Sequence, residues 1–385
     1  MNSATALEDV RREARERFSR STAPAKHLES WRRTDFSRWS LDGAAARMQE
    51  PFSPQDAERV AKAGGVLCTL EEAAARFPEQ VLPSLSLRAE EAFSRMEAAN
   101  LSSWRTGAFL RVPKGVKLAE PVTIRFARAD KGAAFSRSLV ILEEGAQAQL
   151  VEEHGSPSVQ GQEDCSAAFS SMQLAADAKL RCFYLQDAGA EESHFWHQTA
   201  RLGRGAHLEH CSLLLGGAVH KSALDVGLAE EGARSDIRAV LLGRGAQRFD
   251  TETRQRHLAP RTQSELLFRA ALGASSRSVF TGLLRIEEIA KGSEAYQSSR
   301  GLMLSDEARA NATPILEILT DDVHCKHGAA VGPLDMDQLF YLASRGMSDA
   351  EAARLLVMGF FEPVLSRFPD AALAERLARR IEAAL

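Results

Sequence analysis

The stretch Pro314–Pro333, PILEILTDDVHCKHGAAVGP, is the chemically richest part of the 385-residue chain. If it runs as a strand, the two-residue period places Asp321, Val323, Cys325 and His327 on one face, and Asp322, His324 and Lys326 on the other. A thiol and an imidazole on a shared face suit iron or persulfide-derived sulfur, and a nearby Lys or protonated His would favour the thiolate. Two ligands do not complete an iron–sulfur site, which takes about four protein ligands. A second chain is therefore expected to supply the rest. On the residues alone a partly buried structural cysteine beside a surface histidine stays an open alternative.

A second group lies in AHLEHCSLLL, where His207, Glu209 and Cys211 share a strand face, with His194 and His197 expected one solenoid step earlier. This group defines the competing class of function, a metal-dependent or carbohydrate-active enzyme built on a β-solenoid. Against it stands the plainer reading that a solenoid exterior is full of solvated polar residues, and no paired-carboxylate signature accompanies the group. Phosphate loops are absent: no GxxxxGK[ST] occurs, and AKGSEA at 290–295 has Lys and Gly in the wrong order. The chain is expected to bind no nucleotide and not to be an ATPase. HExxH, GxSxG and a strand-to-helix GxGxxG are missing as well.

The elements that must position these residues change character along the chain. Residues 1–104 read as helices separated by breakers: a charged helix over Ala6–Phe18, one opened at Thr69 by a capping box with Glu72, and one from Arg88 to Ala99 ending near Asn100. Between them LESWRRTDFSRW is too rich in Trp and Arg for a linker, and Trp31, Phe36 and Trp39 are expected to pack on the next domain.

Over 105–332 two-residue alternation takes over, as in Val122, Ile124 and Phe126, or Ala178, Leu180, Cys182 and Tyr184. A degenerate small pair recurs at strand entrances, among them Gly145-Ala146, Asp177-Ala178, Gly205-Ala206, Gly232-Ala233 and Gly273-Ala274. Gly or Asp takes the positive φ of a tight corner, and Ala leaves room where the chain turns inward. The fold class is thus mainly β, a right-handed parallel β-helix (β-solenoid) core between N-terminal and C-terminal helical domains, with a sandwich or jelly roll as the alternative. Residues 333–385 return to helix. Asp335–Ser344 closes at Gly346, Ser348 and Glu351 form a capping box, and Leu373, Leu377, Ile381 and Leu385 step along a last amphipathic helix. The segment LLVMGFF has no charged face, so Leu355, Leu356, Phe360 and Phe361 are expected to meet a partner surface or a tightly packed cap.

Composition narrows the classes further. A chain that is 44% hydrophobic and 26% charged buries a substantial core, and a net charge of −4 creates no field to gather nucleic acid or an anionic membrane. No apolar run approaches the roughly 18 residues of a membrane span, and the charged N-terminus lacks a signal-peptide core. A cytoplasmic protein is expected. Five cysteines without a CxxC pair favour free thiols.

Three segments carry a resemblance. ANATPILEILTDDVHCKHGAAVGPLDMDQLFYLASRGMSDAEA resembles the C-terminal signature of the SufB/SufD family of iron–sulfur cluster assembly scaffolds. LESWRRTDFSRW is similar to the N-terminal tryptophan motif of its D-type members, and AFLRVPKGVKLAEPV resembles the family's entry into its β-helix. Cys325-Lys326-His327-Gly328 looks D-like, and GLMLSDEARA has no cysteine to match the assembly cysteine of B-type members. The resemblance implies a non-catalytic scaffold in the SUF system, paired with a SufB-like paralogue, contacted at its C-terminal helices by a SufC-like ABC-type ATPase, or paired with itself in isolation. It also implies that Cys325 and His327 belong to a transient iron–sulfur cluster or iron site shared at the partner interface.

Overall fold

Alternating apolar residues between positive-φ corners leave a chain little choice but to coil as stacked strands. The protein, a computed structural model, is described here over residues 3–24, 28–41, 45–85, 93–130, 132–155, 164–367 and 371–382, the side chains of residues 3–5 and 373 apart. Among the described residues, the α-helices before the coil are α1 (Ser3–Arg20), α2 (Pro54–Lys62), α3 (Leu70–Arg76), α4 (Pro78–Val81) and α5 (Ser94–Ser103). The strands are β1 (Val66–Thr69), β2 (Thr106–Val112), β3 (Val122–Ala127), β4 (Ala134–Leu142), β5 (Gln147–Gly155) and β6 (Cys165–Leu174). Then come β7 (Lys179–Asp187), β8 (Ser193–Leu202), β9 (His207–Leu214), β10 (Val219–Leu228), β11 (Arg234–Gly243) and β12 (Arg248–His257). The last are β13 (Gln263–Leu272), β14 (Arg277–Ile286), β15 (Ser293–Met303), β16 (Arg309–Ile318) and β17 (Val323–Pro333), followed by α6 (Met336–Ser344), α7 (Asp349–Leu365) and α8 (Ala371–Glu382).

Two sheets result. One runs β1-β2-β4-β6-β8-β10-β12-β14-β16 and the other β17-β15-β13-β11-β9-β7-β5-β3. All neighbours are parallel except β1, which pairs antiparallel with β2. Each turn of the solenoid therefore holds two strands, one per sheet, and the sequence repeat of small pairs marks half-turns. Side chains on successive turns meet at separations of 28, 29 or 32 residues. The corners behave as the Gly/Asp pattern implies: Gly145, Asp177, Gly205 and Gly232 all have φ between 57° and 71°. At Gly273-Ala274 the positive φ falls on Ala274 instead.

Three apolar layers hold the molecule together. Inside the coil, residues such as Ile124, Leu150, Leu180, Leu208, Val226 and Leu241 interdigitate between the sheets. Each such side chain contributes about 2 kcal/mol on burial. On the outer face of the first sheet, Trp31 is fully buried, stacks on Phe195 at 6.2 Å and meets Trp39 edge-on, as the aromatic motif implied. On the outer face of the second sheet, α7 and α8 bury Val357, Phe361, Val364, Leu377 and Ile381 against Phe183, Leu213, Val240 and Leu242.

Local expectations at the helices need adjustment. Thr69 caps α3 through the Glu72 amide, but the Glu72 carboxylate turns to Arg76, so that box is half formed; the Ser348–Glu351 box is complete. Residues 88–92 of the expected Arg88–Ala99 helix, and Leu385 with the side chain of Leu373, lie outside what is described. Asn100 does not end α5: its side chain is buried, donates to the Ser136 and Ala167 carbonyls and accepts from Arg137, fastening the helix to the first sheet.

Candidate functional site

The far end of the coil is open. β16 and β17 are the last strands of their sheets, and among the described residues they have no neighbour beyond them. β17 lies in register under β15, so Cys325 sits beneath Ala295 and His327 beneath Gln297. Ala295 and Gln297 face the interior, and Val323 and Cys325 continue that face, packing with Leu316 against Leu284, Ile286, Ala290 and Ala295. Cys325 and His327 thus line the mouth of the solenoid, about 7 Å apart by strand geometry, with His327 exposed and Cys325 half-buried.

The five cysteines separate sharply in this structure. All are free. Burial pushes Cys68 up to about 11 and Cys165 and Cys211 to about 12, and it holds Cys182 well above its ordinary value. Cys325 alone is not buried. Its thiol is also raised, by partial desolvation, with a smaller opposing effect from a hydrogen bond involving the Ala295 backbone. No cation among the described residues contributes to lowering it. Among the described residues no group of three His, Cys, Asp or Glu side chains is placed to hold a metal ion. One thiol and one imidazole stand at the open mouth.

The second candidate group comes apart in the structure. His207 Nε2 is bonded to Asp236 at 2.8 Å, Glu209 accepts from Arg181 at 2.9 Å, and Cys211 is buried beneath α7 among Leu213 and Val240. His194 and His197 lie in the other sheet, on opposite faces of β8: His194 stacks on His220 at 5.3 Å inside the coil, while His197 bonds Asp225 at 2.9 Å outside. The half-turn repeat is the cause, since consecutive small pairs belong to different sheets.

The apolar C-terminal helix also divides. Phe361 is fully buried on the second sheet and presents nothing to a partner; Leu356 and Phe360 are half-buried, with the Arg269 guanidinium 5.6 Å from the Phe360 ring. Leu355 is exposed, and it is joined by residues the sequence reading missed, Met336 at 71%, Phe340 at 76% and Tyr341 at 55% exposure. The available signal was the triad Leu339-Phe340-Tyr341 on a nine-residue helix, which cannot bury all three. At the mouth, Ile318, Leu319, Val331 and Tyr296 are exposed apolar residues as well. No helix among the described residues is long and apolar enough to cross a membrane.

A family model described as "SUF system FeS cluster assembly, SufBD core domain" matches residues 125–360. The chain belongs to the SufBD family. The match covers the coil from β3 through most of α7, including the open mouth. Among SufBD relatives, the iron–sulfur cluster assembly protein SufD of Bacillus subtilis is 31% identical over 278 residues, 72% of this chain and 63% of that protein. A SufBD family protein of Mycobacterium tuberculosis is 29% identical over 299 residues, 75% of this chain and 73% of that one. One from Staphylococcus saprophyticus is 25% identical over 331 residues, 86% and 71% respectively. The chain is a homologue of SufD, in line with its Cys-x-His-Gly sequence.

Proposed function

We propose that this SufD homologue is a non-catalytic cytoplasmic scaffold of iron–sulfur cluster assembly that joins a SufB-like paralogue end to end through β16 and β17. Cys325 and His327 then offer one thiol and one imidazole to the cluster as cargo, and the partner completes the donor set. The carrying observation is that the one cysteine not sealed by burial lies on the strand whose edge is open. Long unpaired edges with exposed apolar side chains are a template for another strand, and proteins that keep them do so for a partner. Covering the mouth also excludes water beside Leu316 and Val323, which strengthens any charge brought against the thiol. The apolar patch of Met336, Phe340, Tyr341 and Leu355 supports docking of a SufC-like ABC-type ATPase, and no nucleotide loop is needed in this chain for that arrangement. In isolation the same edges pair two copies of the chain.

The test is co-expression with SufB-like and SufC-like proteins of the same organism, followed by purification on this chain. Cys325→Ala and His327→Ala are expected to leave the complex intact and to lower the iron and sulfide assembled on it. Recovery of the wild-type chain alone, or full cluster loading by both variants, overturns the reading.

A further inference from the structure

Arginines on the outside of the coil usually have an answer on the next turn. Arg125, Arg181 and Arg285 stand in register with Glu153, Glu209 and Glu317 and form ion pairs with them at 3.0, 2.9 and 3.0 Å. Like charges meet in register as pairs at Arg256–Arg285 and Arg269–Arg300, and one column is longer. Arg248, Arg277 and Arg309 are in register with one another on β12, β14 and β16, all exposed. Neighbouring strands lie about 4.8 Å apart, so three guanidinium groups rise from adjacent turns, an arrangement that like-charge repulsion disfavours. No carboxylate among the described residues pairs with Arg38, Arg248, Arg277 or Arg309.

The column forms one wall of a cavity of about 530 Å³ between the first sheet and the tryptophan segment, which adds Arg33 and Arg38 from the opposite side. Two carboxylates reach the same walls. Asp250 is answered internally: Lys221, itself fully buried, approaches it at 3.1 Å, and Thr34 donates to it. Asp35 caps its own short turn through the Ser37 amide. Arg33 keeps Glu29 at 3.1 Å, and Arg309 is held in place by the carbonyls of Asp306 and Ala308 at 2.6 and 2.7 Å. Arg38, Arg248, Arg277 and Arg309 share the walls of this open cavity with Val279 and Asn311. Cavities of this size suit small molecules, and planar guanidinium forks match the paired oxygens of phosphate.

We infer that this cavity is a binding site for a small molecule carrying a diphosphate group, held by the Arg248–Arg277–Arg309 column with Arg38 opposite. The site is separate from Cys325 and His327 and does not rest on the proposed scaffold function. It departs from the expectation that the chain takes no nucleotide, because side-chain arginines recognise phosphate without a glycine loop.

Isothermal titration of the full chain with inorganic pyrophosphate and with ADP at low salt tests it. Saturable binding is expected at one site per chain. Arg248→Gln combined with Arg277→Gln is expected to weaken it by about a hundredfold, roughly tenfold for each guanidinium removed from the phosphate oxygens. Arg38→Gln, on the opposite wall, is expected to weaken it about tenfold, and Arg12→Gln, on α1, to leave it unchanged. Thermal unfolding keeps the result interpretable: pyrophosphate raises the melting temperature of the wild type and not of the double variant, which without ligand melts no lower than wild type. Absence of saturable binding, undiminished binding by the double variant, or saturation by polyglutamate with none by pyrophosphate overturns the proposal.

Discussion

The two ends of the solenoid meet solvent in opposite ways. At the first turn the edges of both coil strands, β2 and β3, are paired, and only the four-residue β1 ends the first sheet there. β1 closes one by pairing antiparallel with β2, and the segment before α2 closes the other, where the Arg125 amide donates to the Pro51 carbonyl and Met48 bridges Arg128. Helices and the tryptophan segment cover the adjoining face. At the last turn nothing among the described residues plays these parts, and two strands of ten and eleven residues end the stack. One end is covered by the chain itself, and at the other the last strands of both sheets lie uncovered among the described residues.

Breaking the finished end has the largest expected effect. Trp31→Ala removes a fully buried ring in contact with Phe195, Trp39 and Phe93, and should cost about 3–5 kcal/mol, read as a lower urea midpoint. A cost below about 1 kcal/mol would show that the tryptophan segment merely rests on the coil.

Acid should act on the walled turns next. Burial lowers His210 and His220 to about 3 and His257 to about 4, from 6.5. Below pH 6.5 the unfolded chain takes up protons that the folded chain refuses. The stability these groups contribute is complete above that pH and drains away as pH falls toward 4 and then 3. Near pH 5 the loss is about 2 kcal/mol for each histidine. His220→Asn, which keeps a polar side chain without the titration, should flatten part of the decline in unfolding midpoint between pH 7 and 5. An unchanged slope would remove His220 from the account.

The smallest effect sharpens the contrast most directly. An alkylating thiol reagent should modify one cysteine per native chain, Cys325, and all five after denaturation, with Cys325→Ser abolishing the native reaction and changing stability little. Native modification of a second thiol, counted by intact mass, would mean that the walls are less closed than Cys182 and Cys211 indicate.

How much of this was legible in the sequence depends on which physical rule was being read. Strand alternation and the small corner residues are local, and they delivered the coil, the interior faces of Ile124 and Leu180, and the pairing of Cys325 with His327 on one face. The same alternation does not say which of two sheets a strand joins, which is why His194 and His197 were set beside His207 although they lie across the coil. Nor does it say which face is inward: Cys325 reads equally well as outer surface until Ala295 is found above it. An all-apolar helix needs cover on most sides, but whether the cover is the protein's own sheet, as for Phe361, or a partner is a tertiary fact. The arginine column is invisible in sequence, because Arg248, Arg277 and Arg309 become neighbours only through the register of three turns.

The antiparallel strand β1 has one more consequence, for stoichiometry. A coil open at both ends could stack head to tail without limit and grow into a fibre, because each added copy would present the same surface as the last. With β1 and the segment before α2 covering one terminus, the proposed association through β16 and β17 would use the open terminus of each participant and stop at two bodies. Under the proposed pairing, this four-residue strand would favour a closed pair over a polymer.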